Sequence, residues 1–235
     1  MVFSLMLVWT SMSATPSMQM ETLTRALTAM PAQDGGIFVS WRLLGTDSIK
    51  STTFDLMRDG EVIVKNSCGR TNFTDPNGSG TSEYQVVVKV DGVETEKSDV
   101  AIPWGKTYKV LQLDRPASGV DDVTGEDYTY TPNDCSVGDV DGDGEYEIIV
   151  KWDPSNAKDN SQGGKTGKVY LDCYKVDWAA GGEGVTAQRL WRVDLGVNIR
   201  AGAHYTQFMV YDFDGDGRAE MSVKTAPGTK MTRFS

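Results

Sequence analysis

At 235 residues the chain has room for one large domain or two ordinary ones. Its 33 acidic and 23 basic side chains leave a formal charge of −10, which argues against nucleic acid and an anionic membrane surface as partners. Twenty-five glycines, short runs rich in Val, Tyr, Trp and Thr, and no long stretch of helical periodicity point to an all-β protein with many turns.

The N-terminal "MVFSLMLVWTSMSATPSMQM" has no charged residue before Glu21. Val2 to Trp9 is apolar but too short to cross a bilayer, so no stable membrane span is expected. Ser11 to Thr15 is small and polar, as around a signal-peptide cleavage site, although the usual basic region is missing. Residues 1–20 are therefore read as an export segment, with the mature protein secreted, periplasmic or on the cell surface. Cys68, Cys135 and Cys173 cannot all pair within the chain and match no zinc spacing, so at most one disulfide is expected.

Residues 21–110 read as a small β-sandwich of fibronectin or immunoglobulin type. "GIFVSWRLL", "TTFDLMRDGEVIV" and "SEYQVVVKVDGVETE" are strand-like runs, and Asp59-Gly60 and Asp91-Gly92 are hairpin turn signals. Nothing catalytic stands out there; Trp41 fits a core position and Arg42 a surface one. From residue 111 onwards the strands lengthen and the loops grow, which sets 111–235 apart as a second domain.

That second part carries one acidic pattern twice. Asp139, Asp141, Asp143, Glu145 and Glu147 align with Asp212, Asp214, Asp216, Arg218 and Glu220 as D-x-D-G-D-G-x-x-E. Oxygens at alternate positions of a tight loop can converge on one hard cation, and Ca2+ takes about 6–8 oxygen ligands, backbone carbonyls among them. The seventh position is Glu in one copy and Arg in the other, so it is expected to contribute a backbone carbonyl. The last acid comes at the ninth position, earlier than in an EF-hand, and "IIVKW" or "MSVKT" follows as a strand. The expectation is a β-hairpin calcium turn, present twice.

In such hairpins the residues before the first strand and after the second meet at the end opposite the turn. Asn133, Asp134 and Asp153 gather there in the first copy, and Arg200, His204, Lys224 and Thr225 in the second. His204, the lone histidine, can equally be packed and hydrogen-bonded, Arg200 can equally brace a loop, and Asp153 before Pro154 can simply start a turn. Lys151 and Lys224 occupy equivalent positions, which favours a shared structural role.

"SWRLLGTD", "TPNDCSVGDVDGDGEYEIIVKWDPSNAKDNSQGGKTGKVYLDCYK" and "VDLGVNIRAGAHYTQFMVYDFDGDGRAE" together resemble the bacterial rhamnogalacturonan lyases of polysaccharide lyase family 11. The resemblance runs from Glu21 to Gly228. It implies a small β-sandwich followed by an eight-bladed β-propeller carrying several calcium ions. It also implies cleavage of the rhamnose-(1→4)-galacturonate linkage of rhamnogalacturonan I, a pectin backbone, by β-elimination, in a protein that is a monomer when full length. Asn133 and Asp153 match positions beside the substrate, and Asp134 matches one beside the calcium cleft. Arg200, His204 and Lys224 are open candidates for base or charge stabilisation.

A four-stranded blade takes roughly 40–50 residues, so residues 111–235 hold about two or three blades of a truncated propeller. A chain of that size is expected to be unstable or inactive by itself. The alternative is a non-catalytic calcium-dependent adhesion or carbohydrate-binding propeller, which accounts for the acidic turns but not for the matched stretches beside them.

Overall fold

The computed structural model describes residues 20–178, 184–202 and 204–234; apart from Met20, the expected export segment lies outside them. The described residues form an all-β chain with no helix long and apolar enough to cross a membrane.

The N-terminal unit contains β1 (Thr28–Pro31), β2 (Ile37–Ser40), β3 (Thr52–Arg58), β4 (Glu61–Ser67), β5 (Asn72–Asp75), β6 (Tyr84–Val90) and β7 (Val93–Lys97). They pair as two antiparallel sheets, β1-β2-β5 and β4-β3-β6-β7. Strand alternation turns Ile37 and Val39 from one sheet, and Phe54, Leu56, Tyr84, Val86 and Val88 from the other, into a single buried cluster around Trp41. The two Asp-Gly pairs form two-residue hairpin loops between β3 and β4 and between β6 and β7. Both residues of each loop have positive φ: 51° and 84° at Asp59-Gly60, and 50° and 80° at Asp91-Gly92. That backbone matches the twist of the flanking strands and favours Asp-Gly or Asn-Gly. Arg25 is 4% exposed and is held by Asp47 and Glu96, joining the lead-in segment to the second sheet.

The C-terminal unit contains β8 (Val110–Gln112), β9 (Gly119–Val120), β10 (Asp127–Tyr128), β11 (Tyr130–Gly138), β12 (Glu147–Pro154), β13 (Tyr170–Val176), β14 (Gly184–Asp194), β15 (Phe208–Tyr211), β16 (Glu220–Val223) and β17 (Lys230–Arg233). Strands β11-β12-β13-β14-β17 make one antiparallel sheet, and β8 adds to β14 in parallel. β15 and β16 form a separate hairpin.

The large sheet is covered on both faces. Ile149, Leu171, Cys173 and Val193 pack with Phe208, Val210, Met221 and Val223 of the β15–β16 hairpin. On the other face Tyr130, Val150, Trp152 and Tyr174 form their own cluster. Within that second cluster lies a buried charge. The Asp172 carboxylate accepts hydrogen bonds from Trp152 Nε1 at 2.8 Å, Tyr174 Oη at 2.7 Å, Arg192 Nε at 2.7 Å and Arg192 Nη2 at 2.6 Å. Arg192 lies directly opposite Asp172 in the ladder. The cysteines are free: Cys68 and Cys135 are exposed and Cys173 is buried, so the single disulfide that the sequence permitted is not formed.

A buried pair is costly to break because the orphaned partners keep their desolvation penalty. Asp172→Ala is expected to cost about 3–5 kcal/mol in urea unfolding. A loss no larger than that of an exposed Asp→Ala control would contradict the role assigned to this network.

Candidate functional site

The two acidic turns share one backbone design. Asp139 Oδ1 accepts from the N–H of Gly142 at 2.7 Å and Asp143 at 3.1 Å, and Oδ2 from that of Gly144 at 2.9 Å. Asp212 repeats this with Gly215 at 2.7 Å, Asp216 at 3.1 Å and Gly217 at 2.9 Å. Glu147 and Glu220 each reach back to accept the N–H of the turn's second residue, Val140 or Phe213, at 2.9 Å. The first and last acids of the pattern thus build the loop, in addition to any ligand role. Gly142 and Gly144 sit at φ 80° and 89°, and Gly215 and Gly217 at 74° and 92°, a region that side chains with a Cβ resist.

The carboxylates converge as the spacing predicts, but unequally. Oxygens of Asp212, Asp214, Asp216 and Glu220 all lie within 4.8 Å of one another, whereas the first turn brings together only Asp139, Asp141 and Glu147. Asp143 stays outside that group, and Lys175 Nζ lies 2.6 Å from its Oδ2 and 2.5 Å from that of Asp141. These hydrogen bonds hold the Lys175 ammonium well above the usual lysine range. Glu145 is hydrogen-bonded by the Thr24 hydroxyl. In the second turn the Arg218 side chain swings over Gly142 of the first, leaving only its backbone to serve the loop. Both donor sets are all oxygen, which suits a hard cation. Burial pushes the Glu147 carboxyl up to about 7, so a cation in the first turn would also keep this group ionised.

At the other end of β11–β12 the ladder breaks its register. Pro132 pairs with Trp152 and Cys135 with Val150, so Asn133 and Asp134 face the single residue Lys151. Such a bulge re-aims side chains. Here Asn133 Nδ2 donates to Asp153 Oδ2, and Lys151 Nζ donates to Asp134 Oδ2 at 2.6 Å and to the Tyr205 carbonyl at 3.2 Å. Lys151 is fully buried, unlike its exposed counterpart Lys224, so the shared role suggested by their equal spacing does not hold. Asp153 is 7% exposed, its Oδ1 has no partner, and burial raises its carboxyl above the ordinary range.

Of the remaining rim residues, Arg200 is fully engaged. It donates to the carbonyls of Lys158 at 3.1 Å, Gly164 at 2.8 Å, Asp159 at 3.0 Å and Gln162 at 2.7 Å, bracing the loop that follows β12. This geometry gives Arg200 the bracing alternative and takes it out of direct chemistry. His204 and Lys224 are exposed, one in the turn beside Tyr205 and the other just after β16. Asp134 lies at this rim, in neither carboxylate group, so its expected place as a metal ligand is replaced by the ion pair with Lys151. Sequence reasoning missed Tyr205. Its hydroxyl donates to Asp159 Oδ2 at 2.7 Å, and its carbonyl receives Lys151, which locks the His204 turn onto the rim. The N–H of Ser161 and the Tyr205 hydroxyl hold the Asp159 carboxyl at about 2.

Residues 108–233, more than half of the chain, match the model for the C-terminal domain of rhamnogalacturonan lyase family 11. The chain belongs to that family. Residues 18–104 match the β-sheet domain of rhamnogalacturonan I lyases. Over 212 residues the chain is 54% identical to the rhamnogalacturonan endolyase YesW and 52% identical to the exolyase YesX, both of Bacillus subtilis (strain 168). Each alignment covers 90% of this chain and 32% or 33% of the relative, so the chain spans about a third of the length of these curated relatives. The crystal structure of the exotype lyase YesX superposes with a TM-score of 0.80 at 51% identity, over 90% of this chain and 33% of that one. A Bacillus licheniformis family 11 lyase gives 0.80 at 49% identity, over 90% and 34%.

The buried, half-partnered carboxylate of Asp153 makes a prediction about stability. A carboxyl whose folded-state pKa is raised contributes stability below its unfolded value and loses it as pH rises through the folded value. At pH 8 the ionised form is therefore a burden that Asp153→Asn removes. The variant is expected to melt above the parent at pH 8, by about 2–4 °C for each kcal/mol regained in a chain of this size. The gap should close as the pH falls into the ordinary carboxylate range. Thermal unfolding across pH checks this, and a variant that melts below the parent at pH 8 would refute it.

Proposed function

We propose that these residues form part of a calcium-dependent lyase that cleaves rhamnose-(1→4)-galacturonate bonds of rhamnogalacturonan I by β-elimination. The observation that carries this is the family match over both units, at about half identity to two rhamnogalacturonan lyases. In this reading the N-terminal sheets are a β-sandwich domain, and the β11–β14 sheet and β15–β16 hairpin are blades of a β-propeller. The protein acts outside the cytoplasm, consistent with the apolar stretch before Glu21.

β-Elimination removes the proton on C5 of the uronate, forms a C4–C5 double bond and expels the O4 leaving group. The uronate's carboxylate must be neutralised, a base must take the proton, and the departing oxygen must be helped. The Asp139 and Asp212 turns would each hold a calcium ion. Calcium there would neutralise the turns' own carboxylates and lower the charge of a chain at −10 that must meet a polyanion. The uronate's carboxylate, at the opposite end of the hairpins, would be met by cations of the rim. The rim supplies the rest. Asp153 is held by Asn133 and its other oxygen is buried without a partner, so it would act by orienting Asn133 at the rim. Lys151 neutralises Asp134 at the floor, and His204 and Lys224, both exposed, are the residues assigned here to base and charge stabilisation.

The test is ultraviolet absorbance from a newly formed unsaturated uronate, with rhamnogalacturonan I as substrate. It uses this chain alone and the chain exchanged into the corresponding third of the YesW endolyase. The exchanged protein is expected to show a rise that depends on calcium and vanishes with chelator. His204→Ala and Lys224→Ala are each expected to lower the rate about 100-fold, as for a lost acid–base or charge-stabilising group. Binding of the polysaccharide without any rise would instead favour a non-catalytic calcium-dependent carbohydrate-binding or adhesion propeller.

A further inference from the structure

The two acidic turns have the same loop and the same backbone hydrogen bonds, yet they differ in what surrounds them. The last acid of the first turn, Glu147, opens β12, and β13 is paired beside β12. The register that sets Ile148 against Tyr174 puts Lys175 next to Glu147, on the face where Cys173 and Ile149 also lie. Its ammonium reaches the Oδ2 atoms of Asp141 and Asp143 at 2.5 Å and 2.6 Å. The Oδ1 atoms of the same residues accept backbone N–H groups of the loop.

In the second turn Asp214 Oδ1 and Asp216 Oδ1 accept the equivalent backbone bonds. No cation touches their Oδ2 atoms among the described residues, because β16 pairs only with β15 and has no neighbouring strand to bring one. All four acids of that turn converge, whereas in the first turn Asp143 lies outside the group. The second turn presents four uncompensated carboxylates. The first has already spent two oxygens on a monovalent cation of its own chain.

Resting on the reading that both turns take calcium, we propose that Lys175 is a built-in counter-cation that competes with calcium for Asp141 and Asp143. The two turns then fill in order, the second before the first. Without calcium, Lys175 offsets the repulsion between Asp141 and Asp143 and keeps the first turn folded. To load this turn, calcium must displace the ammonium and tolerate a positive charge beside it, and it faces neither demand in the second turn.

The test is calorimetric titration of the whole 235-residue chain with calcium, paired with thermal unfolding in chelator and in saturating calcium. The parent is expected to bind in two separated events. Asp214→Asn with Asp216→Asn should remove the tighter event, and Lys175→Met should tighten the weaker one by about tenfold, leaving the other unchanged. Lys175→Arg should behave as the parent. Lys175→Met should also lower the melting temperature in chelator while enlarging the rise on adding calcium, a reversal that a merely structural lysine would not give. Two events of equal affinity, or a weaker event untouched by Lys175→Met, would overturn the proposal and leave calcium binding intact. No calcium binding in the parent would overturn it together with the reading it rests on.

Discussion

Strand β12 has to carry charges through a region covered on both faces, and the rest of the C-terminal unit is arranged around that demand. Glu147, Ile149, Lys151 and Asp153 share one of its faces, and none is more than 7% exposed. Each charge needs a partner drawn from another part of the chain, since an isolated buried charge costs several kcal/mol or more. Glu147 takes the Val140 N–H within its own turn. Lys151 takes Asp134 from the bulge and the Tyr205 carbonyl from the loop before β15. Asp153 takes only Asn133. The first turn, the bulge and the loop before β15 are thus tied to one strand by electrostatics as well as by apolar packing. The one incomplete match, Asp153 Oδ1, lies at the rim proposed to meet substrate.

The features legible in the sequence are those coded within a few residues. The Asp59-Gly60 and Asp91-Gly92 loops follow from a backbone preference that two residues express alone. The acidic turns likewise carry their own instructions, because the first Asp caps the loop's N–H groups and the glycines take the positive φ. The hairpin reading also brings Asn133 and Asp153 together at the end of β11–β12 opposite the turn, since strand pairing leaves those positions little freedom.

What stayed hidden depends on partners far away in the chain. Arg200 looks the same in sequence whether it faces substrate or four carbonyls of residues 158–164, and only the folded loop decides. Lys151 and Lys224 share a spacing but not a fate, because β12 lies within the sheet and β16 lies at its own edge. Lys175 carries no motif at all; its meaning comes from the strand register that brings it to Glu147, across about 30 residues of sequence. Asp172 could be recognised as buried only once Trp152, Tyr174 and Arg192 were placed around it.

The joint between the two units follows from the same geometry. Thr24 donates its N–H to the Gly144 carbonyl at 2.9 Å, Arg42 donates to the same carbonyl at 3.2 Å, and the Arg42 guanidinium lies 4.4 Å from the centre of the Tyr146 ring. Arg42, expected at the surface, is instead part of this contact. A Cβ at Gly144 would come within 2.8 Å of the Thr22 carbonyl, so the close approach also requires glycine there. The N-terminal unit thus grips the first acidic turn, roughly 20 Å along the hairpin from the rim. Contacts made at that end do not involve the rim residues Asn133, Asp134 and Asp153. They also place the first turn's charge balance, with Lys175 on one side and Thr24 on the other, at the point where the two units meet.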